Sequence, residues 1–285
     1  MPHITHLEPV DYLVIGHVAR DLTPKGPILG GTVSYSALTA CALGMRVGII
    51  TACEPDFPMP ELENVPKAIH YSELTTTFEN IMTPSGRIQI LHHQAPILTQ
   101  MDVPEVWRKT PVVHLGPIAN EIDPKLARAF PDSLLCLTPQ GWLRTWDEKG
   151  HVRPGEWPEA AYVLENASVA ILSIEDVRGN EDWIEEMAAS TRILAVTEGY
   201  NGARLYWNGD LRRFHARKVK EIDPTGAGDI FATSFFYRYY HTRDPWEAAR
   251  FATIIASHSV TRPGLKGVPT PKEIRDCMLE ILPKI

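Results

Sequence analysis

Six short apolar runs recur along this chain, and none of them alternates between apolar and polar residues. They cover residues 12–16, 47–51, 112–116, 134–138, 169–173 and 193–197. A strand that is apolar on both faces is buried on both faces, as in a parallel sheet that is covered by helices. The runs therefore predict an α/β fold with a mainly parallel sheet and helices on both of its faces.

Helical patterns lie between several of these runs. Residues 33–43 are rich in Ala and Leu and stop at Gly44, which predicts a helix with a glycine just past its end. Asn180 is a candidate N-cap for a helix with one apolar face. Two further helix starts are predicted by a cap residue, a proline and a glutamate at fixed spacing, in Asp244-Pro-Trp-Glu247 and Thr270-Pro-Lys-Glu273.

One segment departs from the pattern of continuous apolar runs. Residues 72–98 read as two alternating strands around the turn Thr83-Pro-Ser-Gly86, which predicts a half-exposed antiparallel hairpin. Because the hairpin follows the second core strand, we expect a small sheet that projects over the ligand-binding edge. The alternative is an ordinary surface hairpin without a functional role.

Composition narrows the classes of partner. The 285 residues are 44% hydrophobic and 22% charged, with a net charge of −7. The sequence has no basic cluster, which argues against nucleic acid or an anionic membrane surface as the main partner. Nucleotides stay possible, because they need local hydrogen-bond donors rather than a positive net charge.

The cysteines and the N-terminus indicate a cytoplasmic protein. The four cysteines are scattered singly, without a C-x-x-C pair, so we expect free thiols in a reducing compartment. Residues 1–9 lack a basic region followed by a long apolar run, and no apolar stretch approaches the length of a membrane span. The 11 histidines show no metal-binding spacing.

The segment Asp223-Pro-Thr-Gly-Ala-Gly-Asp229 precedes a helix-like run and carries the clearest chemical signal. Backbone N–H groups at a helix start are unpaired and attract an anion. Asp229 ends the same loop and is a potential proton acceptor. An anion site beside a proton acceptor is what transfer of a phosphoryl group to a hydroxyl requires. A glycine-rich turn with a favourable acid in the first helical turn is the structural alternative.

Three features in the right order resemble the ribokinase-like, or pfkB, family of carbohydrate kinases. They are the Gly30-Gly31 pair before an early helix, the hairpin, and the Asp223–Asp229 segment. The resemblance implies a three-layer ribokinase-like fold, formed by residues 1–285 as a single domain. It also implies a small β lid, formed by about residues 72–98 and about 17–29.

The family resemblance assigns the reaction to the late segment. Asp229 matches the family's catalytic base, which takes the proton from the acceptor hydroxyl. Gly226, Ala227 and Gly228 match the anion hole that stabilises charge on the transferred group. We expect Asp229 to need no large pKa shift, since an aspartate with an ordinary pKa near 4 is already ionised at neutral pH.

On the acceptor side, Asp21 matches an acid that binds sugar hydroxyls, and Gly30 and Gly31 would let the backbone approach the acceptor. Tyr35 stands where the family commonly has an Asn, which indicates an acceptor other than ribose or fructose. Arg144 follows a predicted strand, and some relatives use an arginine there on the phosphates. The surrounding Gln-Gly-x-x-Arg stretch resembles plant inositol kinases and favours a cyclitol acceptor.

The resemblance also implies ATP and Mg²⁺. The residues matched to the nucleotide side are Thr197, Gly199, Thr225, Gly228 and His258. Ser173-Ile-Glu-Asp176 stands at the family's magnesium element in altered form, with Asp176 or Glu175 as the available carboxylate. A monovalent cation such as K⁺ at Asp223 and the carbonyl of Thr225 is a further expectation.

The first hypothesis is therefore an ATP-dependent kinase that phosphorylates a hydroxyl of a sugar or cyclic polyol, with an inositol-like acceptor favoured. A nucleoside acceptor would use aromatic residues such as Phe78, and a sugar phosphate would need more cations than Arg87 in the hairpin. A catalytically weak nucleotide- or sugar-binding protein is the alternative from another class. The chain is expected to be a monomer or a homodimer that pairs through its lid.

Overall fold

The computed structural model describes residues 7–83 and 86–279. These residues form fifteen strands and six α-helices. The strands are β1 (Tyr12–Ile15), β2 (Ala19–Leu22), β3 (Ile28–Gly30), β4 (Val47–Cys53), β5 (Lys67–Tyr71), β6 (Thr77–Thr83), β7 (Gly86–His93), β8 (Val112–Leu115), β9 (Leu134–Leu137), β10 (Arg144–Trp146), β11 (Val152–Pro154), β12 (Val169–Ser173), β13 (Ile193–Thr197), β14 (Ala203–Trp207) and β15 (Asp210–Phe214). The helices are α1 (Thr32–Ala42), α2 (Ala160–Asn166), α3 (Glu181–Ser190), α4 (Ala227–Thr242), α5 (Pro245–Ser259) and α6 (Pro271–Leu279).

A nine-stranded sheet forms the centre of the fold, in the order β15-β14-β13-β12-β9-β8-β1-β4-β5. The pairs from β13 through to β5 are parallel, whereas β14 and β15 pair antiparallel at one edge. All six continuous apolar runs lie in its parallel part, which confirms the prediction of a mainly parallel sheet. The carboxyl ends of the parallel strands therefore meet at one edge, where ligands bind in folds of this kind.

Helices cover both faces of the large sheet. Apolar side chains of α1, α4 and α5 pack against one face, and those of α2 and α3 pack against the other. The prediction of a three-layer α/β fold is confirmed. The predicted caps are also confirmed, because Asn180 accepts from the Trp183 N–H, Asp244 accepts from the N–H groups of residues 246 and 247, and Thr270 accepts from that of residue 273.

A second, four-stranded sheet, here called the small sheet, has the order β3-β2-β6-β7. Its strands β6 and β7 pair antiparallel, which confirms the predicted hairpin. Pro84 and Ser85 of the predicted turn, and the side chain of Arg87, lie outside the described residues. The inner face of the small sheet places Ala19, Phe78 and Leu91 against residues 118 and 119, which follow β8.

The hairpins β10–β11 and β14–β15 were not predicted, because their short strands lack a continuous apolar run. The cysteines are free, as expected, and three of them are buried while Cys41 is exposed. Among the described helices, none combines the length and the apolar character that a membrane span requires.

Candidate active site

The N-terminus of α4 forms an open turn at the carboxyl edge of the large sheet. Gly226 is its N-cap with φ of 76°, a left-handed conformation that favours glycine. Gly228 has open space around it, since a Cβ there would meet no atom within 4 Å. The N–H groups of Gly228 and Asp229 belong to the first helical turn and have no partner within the helix. This arrangement fits an anion such as a phosphate group.

Asp229 lies in that first turn and is only partly exposed. Its pKa is raised from 3.8 to about 6, chiefly by burial, and the charge of Asp176 contributes to the rise. A hydrogen bond from Thr32 and the charge of Arg144 act in the opposite direction. The pKa of Asp229 therefore lies above the ordinary value near 4, because burial outweighs the two contacts that lower it.

The starts of α1 and α4 meet at Asp229. Thr32 is the first residue of α1, is buried, and contributes the hydroxyl that bonds to Asp229. The glycine pair before it permits close contacts, since a Cβ on Gly30 would lie 2.0 Å from Oδ2 of Asp21. Thr32 was not predicted as a site residue, although a hydroxyl next to the Gly30-Gly31 pair was the available signal.

Asp21 and Arg144 lie near the starts of α1 and α4. Asp21 is on β2 of the small sheet, with its carboxylate over Gly30. Arg144 is on β10; its Nη1 donates to the carbonyl of Ile118 at 2.8 Å, and its guanidinium carbon lies 5.7 Å from the centre of the Phe78 ring. The structure thus brings Asp21, Arg144 and Asp229 together between the small sheet and the large one.

Tyr35 does not line this cleft. Its side chain is 3% exposed, and a Cβ on Gly226 would lie 2.1 Å from Cδ1 of its ring. The Tyr35 ring therefore packs against the turn before α4. The prediction that Tyr35 binds the acceptor was wrong, because α1 directs this side chain into the core that it forms with Ile230.

Asp176 follows β12 and faces Asp229. Its Oδ2 accepts from the N–H of Ser173 at 2.9 Å, and its Oδ1 accepts from Nε2 of Gln140 at 3.1 Å. Glu175, on the same turn, is exposed. Within the described residues no cluster of three acidic, His or Cys side chains could hold a metal. One carboxylate is nonetheless sufficient for Mg²⁺ that is also bound by phosphates and water.

The remaining predicted residues lie at the ends of β13 and around the turn before α4. Thr197 ends β13, and Gly199 follows it with φ of 57°. The carboxylate of Asp223 accepts from the N–H of Thr225 at 2.9 Å and from that of Gly264 at 2.8 Å. It therefore connects the turn before α4 to the loop after α5.

His258 lies near the end of α5, with its Nδ1 3.9 Å from the carboxylate of Glu273. The exposed Ile222 is close by, because its N–H donates to the carbonyl of Val260, two residues after His258.

Residues 164–273 match the model of the pfkB family carbohydrate kinases. This part of the chain resembles the pfkB carbohydrate kinases. The matched residues include α4 with Asp229, the strand ends at Ser173 and Thr197, and the loop after α5. The protein is therefore a phosphotransferase with an alcohol group as acceptor.

Proteins that are similar to this chain over most of its length are kinases. A cytidine kinase of Thermococcus kodakarensis is 26% identical over 267 residues, which are 85% of this chain and 92% of the relative. An inositol 3-kinase of Oryza sativa subsp. japonica is 24% identical over 94% of this chain and 72% of the relative. A pyrophosphate-dependent kinase of the ribokinase family, solved with a pyrophosphate analog and myo-inositol, has the same fold. It superposes with a TM-score of 0.78 at 21% identity, covering 93% of this chain and 99% of that one.

Proposed function

We propose that this chain is an ATP-dependent kinase that transfers the γ-phosphate to a hydroxyl of a sugar or cyclic polyol, with Asp229 as the general base. One observation carries the proposal. A carboxylate with a pKa of about 6 stands in the first turn of α4, between open N–H groups and the acceptor-side residues Asp21 and Arg144. A base whose pKa lies near the working pH is well suited to take a proton in the transition state.

The proposed step is an in-line transfer. The acceptor hydroxyl gives its proton to Asp229, its oxygen forms a bond to the γ-phosphorus, and the bond to the β–γ bridging oxygen breaks to release ADP. The N–H groups of Gly228 and Asp229 stabilise the charge on the transferred group. Gly226 and Ala227 shape this turn. Thr32 orients the Asp229 carboxylate towards the acceptor.

The inner face of the small sheet supports a neutral polyol as acceptor. Asn80 and Gln89 lie on the same face as Phe78 and Leu91, because each is two residues away along its strand. Nε2 of Gln89 donates to Oδ1 of Asn80 at 3.1 Å. With Asp21, these amides offer donors and acceptors for several hydroxyls. An inositol-like ring fits that chemistry, and the name of the rice relative is in line with it.

A nucleoside is the second candidate acceptor. The cytidine kinase covers 85% of this chain at 26% identity. The Phe78 ring under the Arg144 guanidinium is an aromatic surface at the acceptor end of the cleft. Phe78 is only 3% exposed, however, so a nucleobase would have to displace the small sheet to stack on it.

On the donor side we propose ATP with Mg²⁺. Ile222 and His258 supply the surface for the base, Thr197, Gly199 and Thr225 surround the phosphate path, and Asp176 holds the metal through water. Mg²⁺ neutralises phosphate charge when bound. Asp223 and the carbonyl of Thr225 form the proposed monovalent-cation site. Glu175, which is exposed, is the weaker choice of metal ligand.

The small sheet is proposed to close over the acceptor as a lid, in a single domain. Closure would exclude water and limit hydrolysis of the donor. The exposed Ile81 and Ile88 lie opposite each other on β6 and β7. A homodimer that forms through the lids would cover this pair, and a monomer would leave it exposed.

A donor and acceptor panel tests the proposal. Product would be measured with MgATP and with magnesium pyrophosphate, each against inositols, hexoses, pentoses, cytidine and other nucleosides. We expect turnover with MgATP and one cyclic polyol or sugar. Turnover with nucleosides alone would establish the second candidate, and turnover with pyrophosphate alone would overturn the ATP assignment. Binding of MgATP without transfer to any acceptor would instead support a binding protein.

A further inference from the structure

The base of the small sheet contains a buried polar cluster. The backbone enters or leaves the small sheet at four places: residues 16–18 and 72–76 follow strands of the large sheet, residue 31 leads into α1, and residues 94–96 follow β7. His17 belongs to the first of these passages and is fully buried. Its contacts reach all of the others.

The His17 imidazole connects two of the passages directly. Its Nε2 lies 2.9 Å from the carbonyl of Pro96, and its Nδ1 lies 2.7 Å from Oγ1 of Thr76. A carbonyl only accepts, so Nε2 carries the proton and Nδ1 accepts from the Thr76 hydroxyl. The Thr76 oxygen in turn accepts from the N–H of Ala95 at 3.0 Å. Both ring nitrogens of His17 and the Thr76 hydroxyl thus have hydrogen-bond partners.

The backbone of His17 makes the other connections. A Cβ on Gly31 would lie 2.5 Å from the His17 carbonyl oxygen, so the start of α1 packs directly on this residue. The His17 N–H donates to Oε1 of Glu121 at 3.0 Å. Glu121 is fully buried and also accepts from the N–H groups of Ile118 and Ala119, at 3.0 and 2.7 Å.

These contacts lead to both acceptor-side residues. The Ile118 N–H donates to the Glu121 carboxylate, and the Ile118 carbonyl accepts from Nη1 of Arg144 at 2.8 Å. Asp21 follows His17 by four residues on β2. The unit His17–Thr76–Glu121 therefore lies between the strand that carries Asp21 and the loop that holds Arg144.

We infer that His17, Thr76 and Glu121 form a positioning unit that fixes the small sheet relative to Arg144 and so sets the acceptor-binding geometry. The roles of Asp21 and Arg144 in it rest on the proposed function. The donor side lies on other elements, at the ends of β12 and β13 and the start of α4. Loosening the unit therefore weakens acceptor binding and leaves donor binding unchanged.

Thr76→Val is the variant that tests the unit, because it keeps the side-chain shape and removes the hydroxyl. Thr76→Ser keeps the hydroxyl and is the rescue variant. Thr253→Val is the matched control, since Thr253 is buried and its hydroxyl donates to the Ala249 carbonyl of its own helix. If Thr76→Val does not fold, Glu121→Gln replaces it, because an amide cannot accept all of the backbone N–H groups that the carboxylate accepts.

Two readouts are measured on the full chain. Hydrogen–deuterium exchange of peptides from β2, β6 and β7 should be about tenfold faster in Thr76→Val, with β1 and β8 unchanged, because the lost buried bond loosens only the small sheet. With the acceptor that the panel identifies, the acceptor KM should rise about tenfold and the donor KM should stay within about twofold. Thr76→Ser and Thr253→Val should resemble the wild type in both.

Unchanged exchange in the small sheet of Thr76→Val would overturn the inference, and so would equal changes in the acceptor and donor KM. The exchange readout does not depend on activity. If the wild type shows no transfer to any acceptor, the proposed function fails while faster exchange in β2, β6 and β7 still supports the unit.

Discussion

Replacing the proposed base with its neutral isostere, Asp229→Asn, should stabilise the fold at alkaline pH. The pKa of Asp229 rises from 3.8 to about 6, chiefly because of burial. One pKa unit corresponds to about 1.4 kcal/mol, so ionising this carboxylate costs the folded state at most about 3 kcal/mol. Asparagine has no charge to desolvate. We therefore expect Asp229→Asn to be more stable by about 1–3 kcal/mol at pH 8, or about 3–8 °C in Tm.

The stability gain of Asp229→Asn should depend on pH. Since the folded state holds the Asp229 proton more tightly than the unfolded chain, the stability from this group is complete below pH 3.8. It is lost as pH rises through about 6. The gain in Asp229→Asn should thus be large at pH 8 and vanish near pH 4, which thermal unfolding at both pH values measures.

The control is Asp182→Asn, because Asp182 is an exposed aspartate in the first turn of α3. It should show no gain at either pH. A gain in Asp229→Asn that is equal at pH 8 and pH 4 would refute the reasoning, as would the absence of any gain at pH 8.

Three further predictions concern groups near or below the site. Thr32→Val should raise the pKa of Asp229, because the Thr32 hydrogen bond lowers it, and so should move the acidic limb of the pH–activity profile to higher pH. Thr32→Ser should restore the wild-type profile, and an acidic limb that does not move in Thr32→Val would contradict the prediction. Arg144→Met should raise the acceptor KM about tenfold through loss of a charged contact, with little change in the donor KM, and the reverse pattern in initial-rate kinetics would place Arg144 on the donor. Burial lowers the pKa of His114 to about 3, so the contribution of His114 to the free energy of unfolding falls by about 2 kcal/mol between pH 7 and pH 5. In urea unfolding, His114→Asn should lose less stability than the wild type between these pH values, and an equal loss of stability would exclude His114 as the cause.

The sequence predicted the elements that depend on local patterns. The continuous apolar runs became neighbouring strands of the large sheet, because burial on both faces leaves a signature in each strand separately. Asn180, Asp244 and Thr270 cap their helices because capping involves residues only a few positions apart. The Gly226–Asp229 turn was visible for the same reason.

The features that the sequence did not predict depend on residues that are distant along the chain. The raised pKa of Asp229 comes chiefly from burial and also from the charge of Asp176, while Thr32 and Arg144 lower it, and these neighbours are distant along the chain. Tyr35 was assigned to the acceptor by its position in a motif, but the direction of α1 places its ring under Gly226. Short hairpins such as β10–β11 have no periodic signal long enough to recognise.

The most direct test of the central claim is the rate of acceptor-dependent phosphoryl transfer by Asp229→Asn, measured beside the wild type with saturating donor and acceptor. General bases contribute about 10²–10⁴-fold, so we expect kcat to fall by about 10²–10⁴-fold while MgATP still raises the Tm. A kcat within about tenfold of the wild type would contradict Asp229 as the base.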